Sequence, residues 1–432
     1  MAEASAPKSE PTRPPSETAG SRTPAQTTTF WGRTFAALRH PNYRLWFLGQ
    51  LVSLVGTWMQ ITAQGFLVFE LTHSTAYLGY VGFAAGIPSW LFMLYGGVIA
   101  DRVARRRLLV ITQTTMMLLA FILAALTFAG LVQPWQIVLL ALALGAANAF
   151  DAPARQAFVF ELVEREDVTN AIALNSSMFN LATVVGPTIA GLTYAVFGAA
   201  WCFTLNGVSF IAVIVALLLM RLPARALVSR TQSAFAQLKE GVRYTLAHPV
   251  LRTLIAIPGV AALFGTAYAT LLPAWAVEAL GGNATTNGLL QSARGAGSLL
   301  GALMIAAVAH FGRRGRWLTI GTFVYPVLLL AFAEARLLPL SLAVLVGVGW
   351  GGMVLFNMAN TLVQSHVSDA LRGRVMSIYT LTFFGGMPLG ALWAGALAQF
   401  IGTPMTIVAS ALVSLGFAVL FWVRVPQLRQ LN

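Results

Sequence analysis

The chain reads as an all-α polytopic membrane protein, with twelve transmembrane helices in two pseudo-symmetric six-helix bundles and both termini in the cytoplasm. Three observations predict this. Hydrophobic residues make up 57% of the chain and charged residues 9%, against roughly 45–50% and about 25% in soluble domains. Apolar runs long enough to cross a bilayer recur along the whole length. Lysine and arginine fall almost entirely in alternate connections between those runs.

Taken in order, residues 1–40 are rich in Ser, Thr, Pro and Ala and lack an apolar block of signal-peptide length, so they read as a disordered cytoplasmic tail. Spans follow near 44–68, 75–99, 107–130, 134–153, 172–197 and 200–221, forming an N-terminal bundle over 41–221. The polar stretch 222–249 reads as a cytoplasmic linker. Six further spans, near 251–277, 287–310, 317–334, 339–363, 375–400 and 404–424, form a C-terminal bundle over 250–425.

With the N-terminus inside, all but two of the 27 Lys and Arg residues fall on the cytoplasmic side. The exceptions are Arg336, in a short outer loop, and Arg294, inside the eighth span. The net charge of +13 thus follows from topology and attraction to anionic headgroups. It does not call for nucleic acid, because no segment interleaves bases with exposed aromatics. The expected location is the cytoplasmic (inner) membrane, multi-pass.

Several chemistries are excluded or disfavoured. The single cysteine, Cys202, permits no internal disulfide. Neither lysine, Lys8 or Lys239, follows a glycine, so there is no Walker A motif. The five histidines lie at span ends or in loops, and no GxSxG or HExxH occurs. An enzyme is not expected, nor is a metal or other cofactor. A receptor or scaffold would not need the repeated halves seen next.

The halves echo each other. Span 2 ends in GGVIADRVARRR and span 8 in AAVAHFGRRGR, with His310 near the place of Asp101. Span 5 carries VVGPTIAG and span 11 GMPLGALWAG. Two similar six-helix units joined by a long linker are a common build among secondary transporters.

These motifs carry a family resemblance. Gly97-x-x-x-Asp101-Arg102-x-x-Arg105-Arg106 resembles the motif between helices 2 and 3 of the major facilitator superfamily, and Gly186-Pro187-x-x-x-Gly191 resembles the motif of its exporters. FLVFELTHS (66–74), FDAPARQAF (150–158), NAIALNSSMFN (170–180) and LRGRVMSIY (371–379) resemble the branch with the enterobactin exporter and macrolide efflux proteins. Two departures stand out. Ala104 occupies a place where the first motif usually has glycine, and Thr183 one where the branch often has arginine.

The resemblance implies a conformational latch. Asp101 would face the start of span 11, and an arginine of the cluster would reach an acid at the inner end of span 4, for which Asp151 is the matching residue. Topology alone explains the arginines but not Asp101, since acids contribute little to orientation. Gly186, Pro187 and Gly191 read as a packing and hinge element, with kinking or close packing alone as the simpler alternative.

Polar stripes mark the expected substrate cavity. Span 1 carries Gln50, Ser53, Thr57, Gln60 and Gln64 on one helical face; span 4 carries Asn148, Asp151 and Arg155; span 10 carries Asn357, Asn360 and Gln364. They avoid lipid, and the simpler alternative to cavity lining is hydrogen bonding between helices. Arg294 either pairs with Glu278 or snorkels outward, or it faces the cavity and holds substrate.

The function these observations imply is export of small amphipathic organic molecules (drug, macrolide or siderophore-like) by alternating access, as proton-coupled antiport. Asp101, Asp151, Glu70 and Glu278 are the titratable candidates. A lipid or lysolipid mover of the same fold is the runner-up, and a non-transporting receptor or scaffold the remote alternative. The expected partners are a small-molecule substrate, the proton and the lipid bilayer, with the chain a monomer.

Overall fold

In the computed structural model, residues 35–221, 234–308 and 312–431 are described. Among them, eleven helices are long and apolar enough to cross a membrane. A further one, Thr75–Arg102, is 28 residues long and packs among them as the second of twelve.

The first six are α1 (Pro41–Thr72), α2 (Thr75–Arg102), α3 (Arg105–Phe128), α4 (Pro134–Leu162), α5 (Val168–Phe197) and α6 (Ala199–Leu219). The second six are α7 (Pro249–Ala279), α8 (Ala284–Val308), α9 (Arg314–Ala333), α10 (Leu338–His366), α11 (Asp369–Ile401) and α12 (Thr403–Arg424). Each half buries its own apolar core. The largest cluster lies wholly in the second half and those around Trp46 and Leu54 wholly in the first, while the one around Phe203 also takes in Ala274 and Val277 of α7.

The repeat predicted from the motifs is visible in the turns. Gly198, between α5 and α6, has φ 88°, and Gly402, between α11 and α12, has φ 81°. Each N–H bonds the carbonyl four residues back, of Tyr194 and of Ala398 respectively. Only glycine adopts such a conformation without strain, so the same hairpin closes the matching corner of both halves.

Three features differ from the sequence expectation. Helix α4 does not stop near 153 but runs through Pro153 to Leu162, because neighbouring helices re-satisfy the backbone groups that a proline frees. The polar linker contains an amphipathic helix, Ala234–Ala247, set against α11 by an ion pair between Glu240 and Arg374. Helix α7 is not regular: it passes from α to π at Ala261–Gly265, to 3₁₀ at Thr266–Leu271, and to π again at Trp275–Ala279. Pro258 and Pro273, each lacking an N–H to donate, lie in or just before these shifts.

The halves meet along two seams of small residues. On one, Gly79, Gly82 and Gly86 of α2 face Gly395, Ala391 and Pro388 of α11. The Trp90 indole donates to the Leu381 carbonyl at 3.1 Å and the Thr75 hydroxyl to the Gly395 carbonyl at 3.1 Å. On the other, Gly191 of α5 meets Gly288 of α8, and Gly295 of α8 meets the Thr183 carbonyl. Ser292 there donates to the Val184 carbonyl at 2.6 Å and lies 2.8 Å from the Thr188 hydroxyl. Small residues let the backbones approach, which is the main source of helix affinity in lipid.

The α5–α8 seam runs from the far end to the middle of the bundle, and the α2–α11 seam runs from the far end past the middle, to Trp90 and Leu381. On the same face of α5, nearer the termini, Ser177 is exposed and Asn180 half-buried. They donate only to carbonyls of their own helix, of Ala173 and Ser176. The contacts of this seam thus lie between the far end and the middle of α5 and α8.

Candidate functional site

The polar stripe of α1, expected to line the cavity, is largely buried. Gln50, Ser53, Gln60 and Gln64 are all buried. The Asn206 amide of α6 donates to Gln60 Oε1 at 2.6 Å, and a β-carbon on Gly56 would strike Ser209 and Asn206. The stripe is thus the α1–α6 contact inside the first half. Asn206 and Ser209, three residues apart on α6, are the partners that the sequence reading overlooked. Their spacing was the available signal.

Asp151 is likewise internal to the first half. Its carboxylate is 1% exposed and accepts from the Thr112 hydroxyl at 2.8 Å and the Gln113 amide at 2.9 Å. Arg155 stands 3.6 Å away, one turn along the same helix. It is not the acid that meets the arginine cluster. That acid is Glu161, which pairs with Arg105 at 2.6 Å. The extended α4 explains the correction: its inner end is at Leu162, so Asp151 lies several turns inside and Glu161 takes the terminal place.

The rest of the cluster is divided. Arg106 donates to the Leu218 carbonyl at 2.7 Å and the Met220 carbonyl at 3.2 Å, capping the C-terminal end of α6 with positive charge. Arg102 is exposed. A β-carbon on Gly97 would meet nothing, whereas one on neighbouring Gly96 would strike the Ala149 carbonyl. Gly96, not Gly97, is the glycine required here. Ala104 has φ −56° and ψ 114°, neither helical nor left-handed, so alanine fits without strain. The Asp101 side chain and His310 lie outside the described residues.

The exporter-like motif sits on the seam and on the core at once. Gly186 is packed on Trp58 and the Val55 carbonyl of α1, while the Pro187 carbonyl and Gly191 face Gly288 across the halves. Any movement of α5 against α8 must pass through these contacts.

The second half supplies the half-exposed polar surface. On α8, Asn287, Gln291, Arg294 and Ser298 share one helical face. Asn287 is fully buried at the far end, and the other three are half-buried. The Asn287 amide donates to the Thr62 carbonyl of α1 at 3.4 Å, across the two halves. Arg294 lies beside the phenols of Tyr268 and Tyr325. It does not pair with Glu278, which is exposed and accepts from the Thr403 hydroxyl at 3.0 Å. On α10, Asn357 and Asn360 are half-buried, and exposed Gln364 donates to Asn360 Oδ1 at 2.6 Å. Aromatic edges accompany these groups, with Trp58 against Phe179 at 5.8 Å and Phe356 against Phe383 at 5.0 Å.

Among the described residues, no group of His, Cys, Asp and Glu could hold a metal ion. Half-buried polar groups thus lie along α8 and α10, and small residues pack the halves together at the far end.

Known proteins are similar to this chain in sequence and in fold. The staphyloferrin A transporter of Staphylococcus aureus is 25% identical over 369 residues, covering 84% of this chain and 91% of the relative. The enterobactin exporter of Shigella flexneri is 28% identical over 396 residues, covering 88% and 90%. A bacterial homologue of the lysosomal transporter Spinster, solved in an inward-facing and unoccupied conformation, superposes with TM-score 0.68 at 15% identity, covering 90% and 98%. The nucleoside transporter NupG gives TM-score 0.69 at 14% identity, covering 88% and 98%. At those identities the two structures speak for the fold alone. The family described as transmembrane secretion effectors matches residues 32–432. The chain therefore belongs to the major facilitator superfamily, in its transmembrane secretion effector family, and is a multi-pass membrane transporter of small molecules, not an enzyme.

Proposed function

We propose that the chain exports a small amphipathic organic molecule, of siderophore-like size and polarity, from the cytoplasm by proton-coupled alternating access. One observation carries this reading: small residues pack the two halves together from the far end to about the middle, while polar groups of α5 nearer the termini bond only their own helix. With the termini cytoplasmic, as the lysine and arginine distribution implies, the cavity loads from inside. The names of the relatives, an enterobactin exporter and a staphyloferrin A transporter, support a siderophore-like cargo.

In this reading Gln291, Arg294, Asn357 and Asn360 contact substrate, while Gln60 and Gln64 hold the first half together. Gly186, Pro187 and Gly191 form the rubbing surface against α8. Asp101 engages the start of α11 when the cytoplasmic side closes, with Arg105 and Glu161 fixing the loop that carries it. Asp151, the carboxylate buried within a span, is the proton site.

The test is uptake of enterobactin and staphyloferrin A into inverted membrane vesicles with an acidic interior. Accumulation that depends on the protein and collapses with a protonophore is expected. Uptake indifferent to the gradient overturns the coupling, and absence of uptake for both compounds overturns the siderophore-like cargo.

A further inference from the structure

We propose that Arg294 is an anion-binding residue of the cavity, and that the transported molecule carries an anionic oxygen group, held by Arg294, together with a hydrogen-bond donor about 10 Å away, near Asn287. This rests on the export reading above and adds the charge and layout of the cargo.

Arg294 is the charge set inside a span without a charge to match it. Its near neighbours are the phenols of Tyr268 and Tyr325. Both rings are deeply buried. Neutral phenols do not neutralise a half-buried guanidinium. Among the described residues no acid pairs with it. Glu278 is exposed and engaged by Thr403, and Glu334 is exposed at the end of α9.

The surroundings fix the guanidinium instead of letting it escape. A β-carbon on Gly265 would lie 2.5 Å from the Tyr325 ring, and one on Gly352 would lie 3.2 Å from it. Tyr325 is therefore wedged between α7 and α10. Tyr268 is delivered by the 3₁₀ stretch Thr266–Leu271, between the two π segments of α7. A snorkelling arginine would need none of this.

The second observation is independent. Asn287 lies on the same face of α8, two turns toward the sealed end. It is 0% exposed, donates to the Thr62 carbonyl, and has no partner for its own Oδ1. A buried acceptor left open is costly unless something donates to it. The face thus presents a cation and, two turns further in, an acceptor. A molecule with a carboxylate or catecholate at one end and a hydroxyl or amide N–H toward the other satisfies both. Placing it there also loads the Asn287–Thr62 contact between the halves, so occupancy and opening of the sealed end are linked through one residue.

The test uses full-length protein in lipid nanodiscs and two matched sets of probes, aryl carboxylates (hydroxybenzoates and hydroxynaphthoates) and their neutral carboxamides. Phenylglyoxal modification of Arg294 is followed by mass spectrometry of the peptide that contains it. Protection by carboxylates and not by their amides is expected. Equal protection by both, or by neither, overturns the proposal. Binding to Arg294→Gln should weaken about tenfold for the protecting carboxylates and less than about twofold for amides. Equal weakening for both would make the role structural and would also overturn it. The wild-type modification experiment stands if Arg294→Gln does not fold. Probes that protect Arg294 but are never moved into vesicles would overturn the export reading and leave this one intact.

Discussion

Gly288 of α8 lies directly against the backbone carbonyl of Pro187 in α5, leaving no room for a β-carbon. The glycine-proline element is thus met by a glycine from the other half, and the far end of the bundle is sealed at backbone range. A larger side chain at 288 must force the seam apart. Overpacking typically costs about 1–3 kcal/mol, so Gly288→Val should shift the population away from the far-closed state by about fivefold or more. A cysteine replacing Gln364, in a Cys202→Ser background, should then react more slowly with a membrane-impermeant maleimide applied from the termini side. An unchanged rate would remove the seam from the conformational cycle.

Arg105 and Glu161 form a half-buried ion pair, each side chain 20% exposed. Replacing either with Ala should loosen the α2–α3 turn, and the double replacement should cost less than the sum. A coupling of about 1 kcal/mol is expected from a double-mutant cycle on thermal unfolding. The corresponding cycle between Arg105 and Asp151 should give no coupling. Coupling there would restore the assignment that the structure corrects.

The Gln60–Asn206 bond predicts a structural phenotype at a position that reads, from sequence, as cavity. Gln60→Leu should lower the melting temperature, leaving substrate affinity per folded molecule unchanged. The pairwise term in a cycle with Asn206→Leu should be about 0.6 kcal/mol, the average for such bonds within membranes. A loss of affinity with normal stability would return Gln60 to the cavity.

Asp151 predicts the pH behaviour. The proposed proton coupling is routed through this carboxylate, so Asp151→Asn should abolish accumulation driven by a pH gradient. Downhill flux should survive, because Thr112 and Gln113 can still bond an amide in that place. Vesicle uptake with and without an imposed gradient separates the two. Retained gradient-driven uptake would move the coupling to another group.

The twelve spans were legible because each is a long apolar run bounded by charge or by turn residues. The paired hairpins at Gly198 and Gly402 follow from the repeat that the motifs disclose. The end of α4 was not legible, since Pro153 looks like a stop and only packing against α2 and α3 carries the helix past it. The linker helix was not legible because it sits in a polar stretch: Ala234–Ala247 is amphipathic, too short to span, and pairs with α11 through Glu240 and Arg374. The polar stripes were visible but ambiguous. Glutamines that bond a neighbouring helix and glutamines that face a cavity have the same spacing, and only the position of Asn206 separates them. On α8 the face Asn287–Gln291–Arg294–Ser298 was equally regular, yet the charge of Arg294 drew attention away from its three neighbours.

Alternating access is tested most directly by spin-label distances across the two halves, in nanodiscs and a Cys202→Ser background. Labels replacing Glu164 and Asp369 report the termini side, and labels replacing Gln133 and Leu337 report the far side; all four positions are exposed. In the otherwise wild-type protein the first pair should be long and the second short. Gly288→Val should shorten the first and lengthen the second together. Both pairs unchanged by that substitution, or both lengthening at once, would contradict a transporter that closes one end as it opens the other.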